Sequence, residues 1–305
     1  MQFITISESH TKAIVGVAFS VGRSDRFATA ALDGTVRVWD AAEYAVSATC
    51  LPRREQERGV MPQCLAYSDI ILSGWTDGKV LAHSESGENL WFIDNAHPGG
   101  ITALTLSHNR RFIITGGPAG EVRLWELRSR DLISHFKEHV QKVTSLALFE
   151  DDTVAISVSR DRCILRWDLK TEKRVHCHMQ RMGGINAVAI SKDEQHLLSV
   201  GQERKLVYWG VNSVDAVHHQ FLDGTADGET DEGKCISISN DGSLIATGGT
   251  AGILRIWDFK SCTLISEAAG HSSTISSITF SPDDKQIVSV GDDGSIFLWS
   301  LFQSA

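Results

Sequence analysis

Asp33-Gly34-Thr35-Val36-Arg37-Val38-Trp39-Asp40 is the stretch on which the reading of this 305-residue chain turns. Asp-Gly marks a tight turn, and the residues after it alternate as a half-buried strand does. The phrase returns along the whole chain with its Trp as a ruler. Equivalent positions are Trp39, His83, Trp125, Trp167, Trp209, Trp257 and Trp299, with His83 replacing Trp after Asp77-Gly78-Lys79-Val80. The intervals are 44, 42, 42, 42, 48 and 42 residues. Within each unit, short runs rich in Val, Ile, Leu and Thr are bounded by Gly and Asp turns, and helical spacing is absent.

A period of about 40–45 residues with Trp-Asp late in the unit is the WD-repeat signature, in which each unit supplies four strands of one blade. Seven rulers predict an all-β, seven-bladed WD40 β-propeller filling residues 1–305 as one domain, with blades centred on the seven positions above. In repeat one, Ile14 to Phe19 reads as the buried inner strand, Arg26 to Ala31 as the second and Thr35 to Trp39 as the third. After Trp299 only Ser300 to Ala305 remain, too few for a separate fourth strand. Residues 2–6, Gln-Phe-Ile-Thr-Ile, alternate like an outer strand and are expected to complete blade seven, closing the ring and removing an open sheet edge.

The spacing also supplies polar tetrads: His10, Thr29, Asp33 and Trp39 in repeat one, His139, Ser157, Asp161 and Trp167 in repeat four, His271, Ser289, Asp293 and Trp299 in repeat seven. Asp would fix the imidazole tautomer, the hydroxyl would bridge, and the indole N–H, a donor only, would find an acceptor. His, Asp and Ser together suggest a hydrolase triad. Recurrence of the trio in three blades, each time ending on Trp, points instead to a structural pattern, so no catalytic residue is assigned. The other repeats are incomplete. Repeat two has Ser73, Asp77 and His83; repeat three has His97, Thr115 and Trp125 but Ala119 at the Asp position. Repeat five carries Arg181, Ser199, Glu203 and Trp209, and repeat six Thr247, Ala251 and Trp257. These blades are expected to rely more on apolar packing.

Binding is expected on the loops. The residues preceding each turn Asp or its equivalent share one face: Leu32, Thr76, Pro118, Arg160, Gln202, Thr250 and Asp292, of which Thr76, Arg160, Gln202 and Asp292 are candidate protein contacts. A reader of acidic or phosphorylated peptides would cluster several Arg here, and this set holds Arg160 alone. The long interval before Trp257 contains Asp223, Asp227, Glu229, Asp231 and Glu232, read as a mobile solvated loop or, more sharply, as a contact for a basic partner. His176-Cys177-His178 has no second ligand pair nearby, so no metal site is expected.

Composition bounds the function classes. Net charge of −9 disfavours nucleic acid and anionic membranes, and the basic residues Arg53, Arg54 and Arg58 are interrupted by Glu55 and Glu57. No apolar run approaches membrane-spanning length, and residues 1–10 lack a signal-peptide pattern. Six scattered cysteines without a CxxC pair suit free thiols in a cytoplasmic setting. No cofactor and no small-molecule substrate is indicated.

Several strings together resemble a known family: Leu72-Ser73-Gly74-Trp75-Thr76-Asp77-Gly78-Lys79-Val80, Asn95-Ala96-His97 and Gly116-Gly117-Pro118-Ala119-Gly120-Glu121-Val122-Arg123-Leu124-Trp125, then Lys137-Glu138-His139 and Arg204-Lys205-Leu206-Val207-Tyr208-Trp209. In this order and spacing they are similar to the C-terminal half of the cilia- and flagella-associated protein 52 family, over nearly the whole chain. The resemblance implies a second propeller of a tandem pair, a structural role inside ciliary doublet microtubules, and tubulin and axonemal doublet proteins as partners. The rival expectations are a general WD adaptor, such as a ubiquitin-ligase substrate receptor, and an enzyme built at the channel mouth.

Overall fold

The computed structural model describes residues 2–6, 10–50, 59–213, 215–222 and 231–301. They form seven four-stranded antiparallel sheets, and no helix occurs among the described residues. Blade one runs Ile14–Phe19, Arg26–Ala31, Val36–Asp40, Ala45–Cys50 from the inside outward, and blades two to six repeat that order. Period-2 apolar runs make these strands, and turns such as Asp33-Gly34, with Gly34 at φ 85°, reverse the chain between the second and third.

Blade seven takes three strands from the end of the chain and its outer strand, Gln2–Thr5, from the beginning. The ladder pairs Gln2 with Ser300 and Thr5 with Phe297. Ile6 is buried and donates its N–H to the Ile296 carbonyl at 3.1 Å. Phe3 lies 5.0 Å from Trp299 and 5.3 Å from Phe297, ring centre to ring centre.

The core is divided into seven apolar clusters, one between each pair of neighbouring blades. The cluster joining blades seven and one packs Ile6, Val288 and Leu298 against Ile14, Phe27 and Trp39. Sheets pack face to face because each blade buries both sides of its inner strands, and the ring leaves only short outer edges.

Two polar devices reinforce the apolar interfaces. Around the axis, a polar residue at the start of an inner strand or just before it reaches the next blade's backbone: Thr102 to the Val143 carbonyl at 2.6 Å, Thr144 to Ile185 at 2.7 Å, Asn186 to Gly233 at 2.6 Å, and Ser276 to Ile14. On the face opposite the Asp-Gly turns, an acid at positive φ caps the preceding blade's turn. Asp152 accepts the N–H groups of His108 and Asn109, both at 2.8 Å, and Asp284 those of Asn240 and Asp241 at 2.6 and 2.8 Å. Glu194 accepts from the Glu150 N–H at 2.6 Å. Free thiols are found at all six cysteines.

Candidate functional site

In blade one, His10 Nδ1 lies 2.9 Å from Asp33, His10 Nε2 lies 2.7 Å from the Thr29 hydroxyl, and Trp39 donates its indole N–H to the same hydroxyl at 2.8 Å. Blade four repeats this with His139, Asp161, Ser157 and Trp167 at 2.9, 2.8 and 2.8 Å. Blade seven does so with His271, Asp293, Ser289 and Trp299 at 3.1, 2.8 and 2.8 Å. One proton order satisfies every atom. Nδ1–H donates to the carboxylate, the hydroxyl donates to Nε2, and the hydroxyl oxygen accepts the indole N–H.

Burial lowers the pKa of His10 and His271, more than the facing carboxylates restore it, so these imidazoles are neutral. Burial would raise Asp161, but hydrogen bonds from His139 and the Cys163 N–H prevail and hold it at about 2. Thr29, Ser157 and Ser289 are fully buried beneath Trp, out of reach of any substrate. The arrangement is chemically a closed staple.

Some of the incomplete repeats find other polar partners. In blade two the Trp role does not stay with the His83 position: Trp75, fully buried on the second strand, donates its indole N–H to Ser73 at 2.8 Å. His83 is buried, its Nδ1 has no hydrogen-bond partner among the described residues, and desolvation pushes its pKa down to about 4. In blade three His97 meets Thr115 at 2.7 Å, and near the position left without a carboxylate by Ala119 stands Glu121, 3.5 Å from His97 Nδ1 but not hydrogen-bonded to it. Blade six replaces the His-Asp pair with a buried ion pair of Asp231 and Arg255, and Arg255 also donates to Glu267 at 2.7 Å. Blades three, five and six keep the Trp bond at 2.9 Å, to Thr115, Ser199 and Thr247.

The candidate face is formed by the turns after each second strand and the loops entering each blade. Thr76 is half-buried, and its hydroxyl accepts the Met61 N–H at 3.1 Å. Gln202 is exposed and its carbonyl takes the Gly184 N–H at 2.7 Å; Asp292 is exposed with its N–H on the Thr274 carbonyl. Arg160, with a third of its side chain exposed, stands 3.6 Å from Glu232. Glu232 also accepts from Lys234 at 2.7 Å and Asn186 at 2.8 Å, so it braces blades four, five and six around the channel mouth. Asp231 corrects the reading of the acidic stretch as a solvated loop or partner contact: it is buried and committed to Arg255 and the Ala251 N–H. Asp223, Asp227 and Glu229 lie outside the described residues. The rings of His176 and His178 are 4.4 Å apart, and no cluster of three or more His, Cys, Asp or Glu suited to a metal ion occurs among the described residues.

The WD domain, G-beta repeat family matches residues 1–40, 232–258 and 262–300, and the Vps8 beta-propeller family matches 39–175. This chain is a seven-bladed WD-repeat propeller. Over 96% of its length the propeller is 28% identical to cilia- and flagella-associated protein 52 of Mus musculus and of Homo sapiens, and 30% identical to that of Chlamydomonas reinhardtii. It spans just under half of these relatives, 46–47% of their length. Striatin-4 of Homo sapiens is 30% identical over 53% of the propeller and 22% of its own length.

On the WD propeller's turn face the sequence reading missed the neighbours of Arg160. Exposed Arg162, Arg181 and Arg204 and the exposed Lys142 belong to the same two blades. The available signal was Arg at a turn position that is Gly in the other five repeats, read there only for its preceding residue.

Proposed function

We propose that the chain is a rigid, non-catalytic protein-interaction scaffold of a cilium or flagellum, with tubulin and doublet proteins as partners. The similarity to cilia- and flagella-associated protein 52 from mammals and an alga, sustained over 96% of the chain, carries the reading. The physical build suits it. A ring of seven sheets with buried, hydrogen-bonded tetrads offers stiffness and a broad loop-bearing face, with its hydroxyls sealed in the core. Thr76, Arg160, Gln202 and Asp292 are the proposed contacts on that face.

The test is localisation of the tagged full-length protein in ciliated cells together with capture of its partners. Axonemal signal and enrichment of tubulin and doublet proteins support the scaffold; a diffuse cytoplasmic signal with ligase subunits enriched overturns it. The second reading is a general WD adaptor, which the partial match to striatin-4 fits.

A further inference from the structure

After the turn Asp or its equivalent, five blades carry glycine at positive φ: Gly34, Gly78, Gly120, Gly252 and Gly294. Blades four and five carry Arg162 and Arg204 there, at φ 74° and 61°. A side chain in this left-handed region is disfavoured where glycine is not, so two consecutive arginines run against backbone preference. Their room comes from the following loop. A Cβ at Gly78 or Gly120 would fall 2.0 or 2.2 Å from the carbonyl oxygen of His97 or His139. After Arg162 the entering histidine is replaced by Arg181, and the preceding residue Gln180 gives its N–H to the Arg162 carbonyl at 2.9 Å.

The cations are contiguous. Arg162 donates to the Arg181 carbonyl at 3.3 Å, and Arg160 donates its N–H to the Lys142 carbonyl at 3.1 Å. The Gly183-Gly184 loop packs so closely between the two turns that a Cβ on either would lie 2.8 Å from Gln202 or Arg160. Among the described residues, Asp161 is held by His139, Glu138 by Arg174, and Glu232 by Lys234 and Asn186 while it stands 3.6 Å from Arg160. Val140, 80% exposed, and Met182, 70% exposed, lie in the loops entering these same two blades.

We propose that this sector of blades four and five is a docking surface for an acidic, extended segment of a protein partner, whose apolar side chain covers Val140 and Met182. The proposal rests on the chain being a protein-binding platform. Guanidinium groups match carboxylates in paired hydrogen bonds, and the exposed valine and methionine supply an apolar contact beside them. Charge selects the occupant further. A short peptide senses the local patch within a screening length of about 8 Å, whereas a long polyanion or anionic membrane also meets the field of a chain with net charge −9.

The experiment measures fluorescence anisotropy of a short labelled Glu-rich peptide with a central Leu-Phe pair, against its Gln counterpart, a single-stranded oligonucleotide and phosphatidylserine vesicles. The Glu peptide is expected to bind in preference to all three, and more weakly as salt rises. The double variant Arg162→Gly with Arg204→Gly, which installs the residue found in the other blades, is expected to fold normally by circular dichroism and to bind at least about tenfold more weakly. Arg130→Gly, another positive-φ arginine at φ 66° but on the opposite face, is expected to bind as the parent does. Unchanged affinity in the double variant, equal loss in Arg130→Gly, or tighter binding of the oligonucleotide or vesicles overturns the proposal. A double variant that loses the peptide yet still captures axonemal proteins assigns those proteins to other contacts and overturns this sector as their dock, leaving the scaffold itself standing.

Discussion

Trp75 donates its indole N–H to the hydroxyl of Ser73, two residues earlier on the same strand, at 2.8 Å. In the other six blades the donor comes from the adjacent third strand, ten residues after the hydroxyl. Blade two therefore conserves the bond while changing its source. Trp75→Phe should destabilise by about 1–3 kcal/mol through the lost donor, and Trp75→Ala by roughly 3–5 kcal/mol through the cavity as well. Denaturant titration of the two variants checks the order; equal costs would show that the lost hydrogen bond alone matters and the packing does not.

His83 gives blade two a pH dependence. Its ordinary pKa is 6.5 and burial takes it to about 4. Below 6.5 the unfolded chain binds a proton that the folded chain refuses, so stability should fall as pH drops from 6.5 and level off near 4. The loss is roughly 3 kcal/mol for such a shift. His83→Phe should flatten this part of the profile of unfolding free energy against pH.

Asp161 governs a lower window. Held at about 2 against an ordinary 3.8, it stabilises the fold above about pH 4, and that contribution disappears as pH falls toward 2. Asp161→Ala should cost about 1–3 kcal/mol at neutral pH by stranding His139. Asp161→Asn should lose the acid-window slope. A melting temperature unchanged in Asp161→Ala would exclude a structural role for the tetrad.

Asp152 ties blade four to blade three through two backbone N–H groups while holding φ at 56°. Asn tolerates that conformation better than Ala does. Asp152→Asn should therefore cost about 1 kcal/mol, and Asp152→Ala roughly 2–4 kcal/mol, because it adds backbone strain to the lost capping bonds. Chemical denaturation of the pair separates the two contributions.

Removal of residues 1–7 should strip the outer strand from blade seven, exposing the 296–300 strand and the rings of Phe297 and Trp299. Loss of Phe3 and Ile6 packing alone is worth about 3–5 kcal/mol, a fall of about 5–8 °C in Tm for a domain of this size. Differential scanning calorimetry reads it directly.

Seven blades were legible because Trp and Asp-Gly recur at a period that local turn chemistry enforces. The tetrads were legible where all four residue types kept their spacing. Trp75 was not, because its role depends on which side chain reaches Ser73 across space, and the ruler pointed to His83. Asp231 was misread for a related reason: five acids in ten residues resemble a solvated run, and only the fold brings Arg255 to one of them. Glu121 likewise brings a carboxylate near His97 from two residues beyond the expected position. The caps by Asp152 and Asp284 connect residues some 43 positions apart, a distance at which sequence spacing carries no partner information.

The antiparallel pairing of Gln2 with Ser300 puts both ends of the described chain at the same end of one ladder. Tension pulling those two residues apart would act on one hydrogen bond at a time and unzip blade seven from its rim. Force applied across the flanks is instead shared among seven interlocked interfaces. The molecule is built to resist squeezing and shear from neighbours, and to yield first when hauled by its own ends.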